Sequence, residues 1–594
     1  MEPRGTKTAA VWSHKTLLVF LLMYTSSTLA FGQLDYTQPT TDKMEHTRNT
    51  ALTKNRRQPA PPALSKREVL AADHFFDHVM KCGRVPGMSV AVVKDGKTWT
   101  RGYGVKDLTT MEPVDSSTLF AIGSLTKAFT SALLGVALEK QDVQKVTWQT
   151  LLQDVLGDDF KLVYSLEKLV KIGDVLSHRT GLMAADILVA AGFPSGLDRG
   201  EFIRRLRYLP DWGPYGYGLH YNNWVYSLAG DVTSKLLEQP WKVLLKDYLL
   251  DPLGMHEAKV VWHDVNVTSP KMARPYQEIL GVLEALDESL FNADQAEASG
   301  ALATSADDMT RWMQFLLNKG VSAGGQRILD PKTLATIMTS HVSLTHTFDV
   351  PVEDVVKGYG FGWYTGSYRG KRKVLHTGEW FGYQASLQLF PDHHAAVYVA
   401  ESGPGTAAGF DAINSISYYL ADIALGYSPW VNETVACSLV EEARKANERE
   451  GKPKPELSNE ELGDASDEFI VPVENAQRYT GTFGHPFFGE VEIAETANDL
   501  HTGLLFRFQR LEGFLLPVGD QRDLADLKTI DFIVQYTGKT EFYSYEFETA
   551  EYSELSFVTS RGGSDDKYDT LVLSAPWPQD DEKLTFERNV KYFD

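Results

Sequence analysis

Three short segments of this 594-residue chain carry the side chains that acyl transfer requires. They are, in chain order, Ser124-Leu125-Thr126-Lys127, Tyr221-Asn222-Asn223 and His376-Thr377-Gly378. Acyl transfer through a serine ester needs a hydroxyl nucleophile, groups that move its proton, and backbone donors that hold the substrate carbonyl. The segments therefore predict a serine hydrolase whose site is assembled from distant parts of the chain.

Each pattern is weak when it stands alone. Ser-X-X-Lys recurs at 165–168 and 564–567, and His-Thr-Gly recurs at 501–503. An isolated match is commonly a serine cap followed by a surface lysine. After Ser124, however, no charged residue lies between Lys127 and Glu139, which predicts a buried helix. Residues three apart share a helical face, so Ser124 and Lys127 are predicted to approach within hydrogen-bond reach.

The second segment supplies a phenol beside this pair. Tyr221 follows a stretch rich in glycine and proline, 210–218, which predicts a loop. Desolvation lowers the pKa of a lysine, and a phenol becomes a base only when a cation stabilises it, so Lys127 and Tyr221 are predicted to share the general base role. Asn223 is predicted to bind a substrate amide or carbonyl. The alternative is an aromatic loop that packs on the core.

The third segment predicts a strand edge against which a substrate lies. The stretches 370–375 and 381–390 alternate as a strand pair does. Gly378 would let a substrate approach the backbone closely, and the N–H groups of Ser124 and Glu379 would form an oxyanion hole. Thr377 belongs to the same substrate-binding edge. A histidine at such a strand end is otherwise an ordinary polar residue, which is our interpretation of His501 in 501–503.

Together these segments resemble the serine β-lactamase and penicillin-binding-protein superfamily, specifically its class C-like branch of β-lactamase-related hydrolases, which includes secreted invertebrate shell-matrix proteins. Other stretches agree with the resemblance, which covers about residues 68–425: 86–93, 175–182, 252–255, 299–309 and 359–363. It implies an α/β (α+β) fold in which an antiparallel sheet is flanked by helices beside an all-α subdomain. It also implies that Ser124 is acylated, with Lys127 and Tyr221 as its base.

The resemblance places His376 where many β-lactamases carry lysine. A neutral histidine holds a substrate carboxylate less firmly than lysine does. The branches with histidine are mostly peptidases and esterases, so the resemblance favours a small peptide, amide or ester substrate over penicillin. No cofactor or metal is implied.

Composition and the N-terminal sequence limit the partners and the location that are expected for the protein. A net charge of −21 disfavours nucleic acid and anionic membranes as partners. Residues 1–30 are predicted to be a secretory signal peptide, because basic residues precede a short apolar run, 17–23, and small residues follow it. That run is too short to span a bilayer. The protein is therefore expected to be secreted and extracellular. Residues 31–67 are expected to be a disordered leader. The basic run 54–57 within it is either a processing site or a solvated linker.

The expected domains are a hydrolase at 68–438, a charged linker at 439–469 and an all-β, lipocalin-like barrel at 470–594. Strand-like alternation supports the barrel, including the stretch 542–547. This second domain would gate the site, bind a ligand or pack on the hydrolase. Its acidic patches, 565–566 and 580–582, would hold Ca²⁺ loosely or form a solvated surface.

Three further features suit export. Asn266 and Asn432 begin glycosylation sequons. Cys82 and Cys437 lie near the two ends of the hydrolase region, where an oxidising compartment would join them; two buried thiols are the alternative.

A second hypothesis is an extracellular matrix or binding protein that reuses the fold without catalysis. Acidic composition, export and an appended β-domain suit this hypothesis. A scaffold, however, has no physical reason to retain Ser124, Lys127, Tyr221 and His376, so we favour an enzyme.

Overall fold

The structure is a computed structural model. It describes residues 62–141, 145–279, 281–348, 350–405, 407–449, 473, 475–497, 502–518, 529–537, 553–558, 568–575 and 582–591. The predictions for the signal peptide, most of the leader and its basic run lie outside these residues. So do those for most of the linker, for 542–547, for His501, for the match at 564–567 and for the side chains of the two acidic patches.

Thirteen strands precede residue 405 among the described residues. They are β1 (Gly87–Lys94), β2 (Lys97–Gly104), β3 (Phe120–Ala121), β4 (Lys259–Val260), β5 (Tyr276–Ile279), β6 (Val282–Ala285), β7 (Leu302–Thr304), β8 (Val342–Thr347), β9 (Asp354–Tyr359), β10 (Tyr364–Tyr368), β11 (Lys371–Trp380), β12 (Tyr383–Phe390) and β13 (Ala395–Ser402). Eight form one sheet in the order β2-β1-β13-β12-β11-β10-β9-β8. The remaining strands form two small sheets, β3-β7-β4 and β5-β6.

Both faces of the central sheet are buried. On β13, Ala396, Tyr398 and Ala400 join one apolar cluster, while the alternate residues Val397 and Val399 join the other. Alternate side chains of a strand point to opposite faces, so each cluster requires its own covering layer of helices.

Fifteen α-helices lie within the described residues. They are α1 (Lys66–Gly83), α2 (Thr126–Glu139), α3 (Leu152–Leu156), α4 (Ile172–Leu176), α5 (Ile187–Ala191), α6 (Arg199–Arg205), α7 (Asn223–Tyr226), α8 (Leu228–Leu237), α9 (Trp241–Leu245), α10 (Asp251–Leu253), α11 (Glu297–Gly300), α12 (Ala306–Leu317), α13 (Pro331–Ile337), α14 (Ala407–Leu425) and α15 (Glu433–Arg449). Helices α1, α14 and α15 cover one face of the sheet, and most of the others, with α2 at their centre, build the layer and all-α subdomain on the opposite face. None of the helices in the described ranges has both the length and the apolar composition needed to cross a membrane.

A disulfide joins the first and last helices of this region. Ser65 and Glu68 begin α1 with a reciprocal capping box. Cys82 near its end is bonded to Cys437 in α15, with a Cα–Cα distance of 5.7 Å. The predicted bridge is therefore present. Of the two sequons, Asn432 is exposed and caps α15 through its side chain, whereas Asn266 is half-buried; glycosylation stays a prediction.

In the described part of the C-terminal region, eight strands form a closed antiparallel barrel. They are β14 (Gly481–His485), β15 (Gly489–Ala497), β16 (Thr502–Phe508), β17 (Leu511–Pro517), β18 (Thr529–Tyr536), β19 (Glu554–Val558), β20 (Thr570–Ala575) and β21 (Glu582–Arg588). Buried rings fill its interior: Tyr479 packs on Phe532, Phe557 and Tyr568, at centroid distances of 5.0–5.2 Å. The predicted fold class, an antiparallel sheet with helices followed by an all-β barrel, is confirmed.

Candidate active site

Ser124 lies at the start of a helix that is buried on every side. Residues Gly123–Leu125 form a 3₁₀ turn that leads directly into α2. Ser124 itself is 7% exposed, and Lys127 in the first turn of α2 has no exposed surface. The Lys127 Nζ atom lies 3.0 Å from the Ser124 Oγ atom. The predicted contact between residues three apart is therefore present, and the helix around it is apolar as predicted.

Two carbonyl oxygens complete the surroundings of Lys127. Its Nζ atom donates to the Asn223 Oδ1 atom at 2.7 Å and to the Ser299 backbone oxygen at 3.0 Å. Burial lowers the pKa of Lys127 well below its usual value, and the charge of Asp186 opposes part of this shift. A neutral amine has two hydrogens and one lone pair. With both hydrogens donated to carbonyl oxygens, the lone pair faces the Ser124 hydroxyl.

A buried carboxylate sets the orientation of the Asn223 amide. The Nδ2 atom of Asn223 donates to the Asp186 Oδ1 atom at 3.0 Å. Because a carboxylate accepts this hydrogen bond, the amide must turn its Oδ1 atom toward Lys127. Asp186 is fully buried and immediately precedes α5. The predicted role of Asn223 in substrate binding stays a prediction; here its amide links Lys127 to Asp186.

Tyr221 lies beside both Ser124 and Lys127. It is 3% exposed, and Lys127 Nζ lies 4.6 Å from the centre of its ring. Burial raises the pKa of Tyr221 well above its usual value, and a hydrogen bond with Ser124 opposes part of this rise. The phenol is therefore protonated at neutral pH while it contacts Ser124.

His376 is buried and bonded within the protein. Its Nδ1 atom lies 2.5 Å from the Thr377 carbonyl oxygen, which can only accept, so Nδ1 carries the hydrogen. Its Nε2 atom then accepts from the Tyr359 hydroxyl at 3.0 Å. Burial, reinforced by the charge of Lys127, lowers the pKa of His376 to about 3. The imidazole is therefore neutral, with both nitrogens engaged, and its direct contact with substrate stays a prediction.

A second buried histidine supports the Tyr221 segment. The His178 ring packs 4.1 Å from the Tyr221 ring, and its Nδ1 atom accepts from the backbone N–H of Asn222 at 3.1 Å. Burial lowers the pKa of His178, and the charges of Lys127 and His376 add to the effect. A neutral His178 therefore holds the loop that carries Tyr221 without placing a positive charge beside Lys127.

Two glycines bring the strand edge against the nucleophile segment. A Cβ atom at Gly378 would lie 1.9 Å from the Ile122 carbonyl oxygen. One at Gly123, whose φ is +48°, would lie 2.6 Å from the Glu379 nitrogen. Glycine at 378 is thus required by the approach of Ile122, a reason that differs from the predicted approach of a substrate. The Thr377 side chain is half-buried and that of Glu379 is exposed.

Context separates the site from the accidental match at Ser165. Both Ser165 and Lys168 are exposed, and Ser165 has a φ of +60° in the irregular segment Val163–Lys168. No helix sets these two side chains on one buried face, so the same four-residue pattern does not produce a buried serine–lysine pair there.

Sequence reasoning missed four residues of the site: Asp186, His178, Tyr359 and Ser299. His178, Tyr359 and Ser299 lie in stretches that carry the family resemblance, but nothing in their spacing assigns them a contact. Ser299 acts through its backbone oxygen, which no side-chain pattern can reveal. A buried acid between apolar residues is the one available signal for Asp186, because such a group requires a partner.

Comparison with known proteins agrees with this geometry. Residues 72–416 match the family model described as Beta-lactamase, and the chain belongs to this family of β-lactamase-like serine hydrolases. An unguisins hydrolase of Aspergillus violaceofuscus is 29% identical over 326 residues, covering 52% of this chain and 57% of that protein. Gigasin-6 of Magallana gigas is 27% identical over 239 residues, covering 39% of this chain and 77% of that protein.

One solved structure has the same fold along most of the chain. The octameric penicillin-binding protein homologue from Pyrococcus abyssi aligns with a TM-score of 0.50 at 17% identity, covering 87% of this chain and 100% of that one. The alignment extends beyond the region that matches the family model.

Proposed function

We propose that this protein is a secreted serine hydrolase that forms an acyl-enzyme on Ser124 with a small peptide, amide or ester substrate. The observation that carries the proposal is the set of contacts around Lys127. Two of its partners, Asn223 Oδ1 and Ser299 O, only accept hydrogen bonds, and the third is the Ser124 hydroxyl. Such an amine is prepared to remove the hydroxyl proton.

In the acylation step, the Ser124 Oγ atom attacks the substrate carbonyl and its proton passes to Lys127. Burial lowers the pKa of Lys127 and raises that of Tyr221, so at neutral pH the amine rather than a phenolate is available as the base. Tyr221 is then the group that transfers a proton onward. The C–N or C–O bond of the substrate then breaks, and the departing amine or alcohol receives the proton. Water hydrolyses the ester by the same path in reverse.

The developing oxyanion requires backbone donors at the strand edge. The backbone of Glu379 packs against Gly123, the residue before the nucleophile. This contact supports the assignment of the Ser124 and Glu379 N–H groups as the oxyanion hole, a device worth about 10²–10³ in rate per donor in other hydrolases.

His376 is neutral, and both of its ring nitrogens form hydrogen bonds within the protein. This state supports peptide, amide and ester substrates over substrates whose carboxylate must be bound by a cation. The unguisins hydrolase among the relatives is also named for hydrolysis. Secretion is supported by the N-terminal sequence and by the disulfide between Cys82 and Cys437.

A fluorophosphonate probe tests the proposal directly. We expect the wild type and Ser165→Ala to be labelled and Ser124→Ala to remain unlabelled, with turnover of an ester panel reduced by about 10⁶ in Ser124→Ala. Ser165→Ala is the matched control because it removes the other described Ser-X-X-Lys serine. An unlabelled wild type would favour the scaffold hypothesis, and a label mapped to Ser165 by peptide mass spectrometry would refute the assignment.

A further inference from the structure

One turn of the barrel reaches into the hydrolase domain. Gln509 and Arg510 form the two-residue turn between β16 and β17. The backbone N–H of Arg510 donates to the Ala191 carbonyl oxygen at 3.0 Å. Its guanidinium donates from Nη2 to the Val189 oxygen at 2.9 Å and from Nη1 to the Ser289 oxygen at 2.5 Å. A single barrel residue thus joins two separate segments of the hydrolase.

Arginine suits this position because its planar fork offers several donors at once. The last carbonyl groups of a helix have no partners within that helix, and Val189 and Ala191 belong to the end of α5. Gly192 follows with a φ of +76°, and a Cβ atom there would lie 2.9 Å from Arg510 Nε. The guanidinium therefore packs directly over the point where α5 ends.

Both segments held by Arg510 lead to Lys127. Asp186 immediately precedes α5 and holds Asn223, whose Oδ1 atom accepts from Lys127. The segment that begins near Ser289 continues into α11, where the Ser299 carbonyl oxygen accepts from Lys127. Two of the three hydrogen bonds of Lys127 therefore depend on chain segments whose far ends are tied by Arg510.

We propose that Arg510 is a positioning residue that sets the acylation rate of Ser124 from the barrel, by fixing the segments that present Asp186 and Ser299 to Lys127. This inference rests on the proposed hydrolase function. It gives the barrel, whose interior is filled by its own side chains, a role in supporting the active site.

Substitutions in the full-length protein separate this role from general domain docking. Arg510→Ala removes the guanidinium contacts. Arg205→Ala removes another contact between the domains, the bond from Arg205 Nη1 to the Pro486 oxygen at 2.7 Å, together with its bond to Glu201, at a residue outside both segments. Arg507→Ala removes an exposed arginine of the same hairpin that pairs with Glu492 and Glu512 on the outer surface of the barrel.

We expect Arg510→Ala to lower kcat and the rate of fluorophosphonate labelling by about tenfold to a hundredfold with little change in KM, since small displacements of catalytic groups have effects of this size. Its pH profile should shift, because the surroundings of Lys127 change. Arg510→Lys should recover only part of the rate. Arg205→Ala and Arg507→Ala should stay within about twofold of the wild type.

Hydrogen exchange provides a readout that does not need activity. In Arg510→Ala, amides of 186–191 and 289–299 should exchange faster than in Arg205→Ala. Equal labelling rates in Arg510→Ala and Arg507→Ala, equal losses in Arg510→Ala and Arg205→Ala, or unchanged exchange would each overturn the inference. Failure of the wild type to react would instead count against the hydrolase function, and the exchange comparison would still decide whether Arg510 supports the two segments.

Discussion

The Lys127 Nζ atom lies 3.0 Å from the Ser124 Oγ atom, inside a helix turn that is closed to solvent. The other two partners of Nζ, the Asn223 Oδ1 and Ser299 backbone oxygens, only accept hydrogen bonds, so of these three partners the Ser124 hydroxyl is the one with a proton to give. Burial disfavours the charged form of the amine and so favours the neutral form, whose lone pair can accept the Ser124 proton.

The charge of Asp186 should tune the pH dependence of catalysis. Asp186 raises the pKa of Lys127, so Asp186→Asn should lower that pKa further while preserving an acceptor for Asn223. Activity requires neutral Lys127 and rises as pH passes its pKa from below. The acidic side of the kcat/KM profile should therefore move to lower pH. Asp198→Asn, an equal charge change at an exposed helix cap, should leave it in place; a shift to higher pH in Asp186→Asn contradicts the assignment of the base.

Tyr221→Phe should separate the proton relay from the base. We expect kcat to fall by about 10²–10⁴ while the acidic side of the pH profile persists, because Lys127 remains. The free energy of unfolding should change little, since the ring still packs on His178. If the acidic side of the profile disappears together with the phenol, Tyr221 rather than Lys127 is the titrating base.

His376 should make the fold sensitive to acid. Its pKa is about 3 in the folded protein and 6.5 in an ordinary histidine, so the unfolded chain binds more protons between these values. The contribution of His376 is complete above about pH 6.5 and is lost as pH falls toward 3, at up to about 1.4 kcal/mol per pH unit. Urea unfolding of the wild type and His376→Gln across this range should show a shallower pH dependence for the variant; parallel curves would mean that the pKa of His376 is the same in the folded and unfolded chains.

Gly123→Ala should damage the site more than an equivalent change elsewhere. Positive φ costs alanine about 1–2 kcal/mol at either Gly123 or Gly96, where φ is +74°. At Gly96 an added Cβ meets nothing within 4 Å, whereas at Gly123 it would lie 2.5 Å from the Glu379 oxygen. We expect Gly96→Ala to retain probe labelling and Gly123→Ala to lose most of it. Equal labelling of Gly123→Ala and Gly96→Ala would show that Glu379 can move away from the added methyl group without loss of reactivity.

Removal of the disulfide should lower stability without altering the chemistry. A bridge that closes a loop across 355 residues restricts the unfolded chain strongly, so Cys82→Ser with Cys437→Ser should reduce the free energy of unfolding by about 3–5 kcal/mol. Labelling of the folded double variant should match the wild type, because neither sulfur contacts the nucleophile helix α2. Unchanged unfolding in denaturant would show that the helices pack equally well without it.

The sequence predicted the helix that follows Ser124 because an uncharged, apolar stretch and a three-residue spacing are local properties. Ser124 and Lys127 meet for the reason their spacing gives. The barrel was predictable as all-β from alternation in β15, β16, β18 and β20, although its closure depends on pairings between distant strands.

Other features depended on tertiary packing. The orientation of Asn223 is set by Asp186, and the neutrality of His376 follows from burial beside Tyr359; neither contact lies within one element. Gly378 is predicted to let a substrate approach the backbone closely, and the structure adds a second reason for glycine, since the Ile122 carbonyl oxygen occupies the space where a Cβ atom would lie. These contacts join segments that are distant in the chain, so they could not be predicted from either segment alone.

The bond between Cys82 and Cys437 would keep the chain in one covalent piece after proteolysis. A single cut in an exposed turn such as the one at Gly281 would leave two fragments that are still covalently attached, because the bridge spans the cut. In a denaturing gel the cleaved protein would migrate as the intact chain does until a reductant is added. Under native conditions the two fragments would remain tethered, with Ser124 on one and His376 on the other.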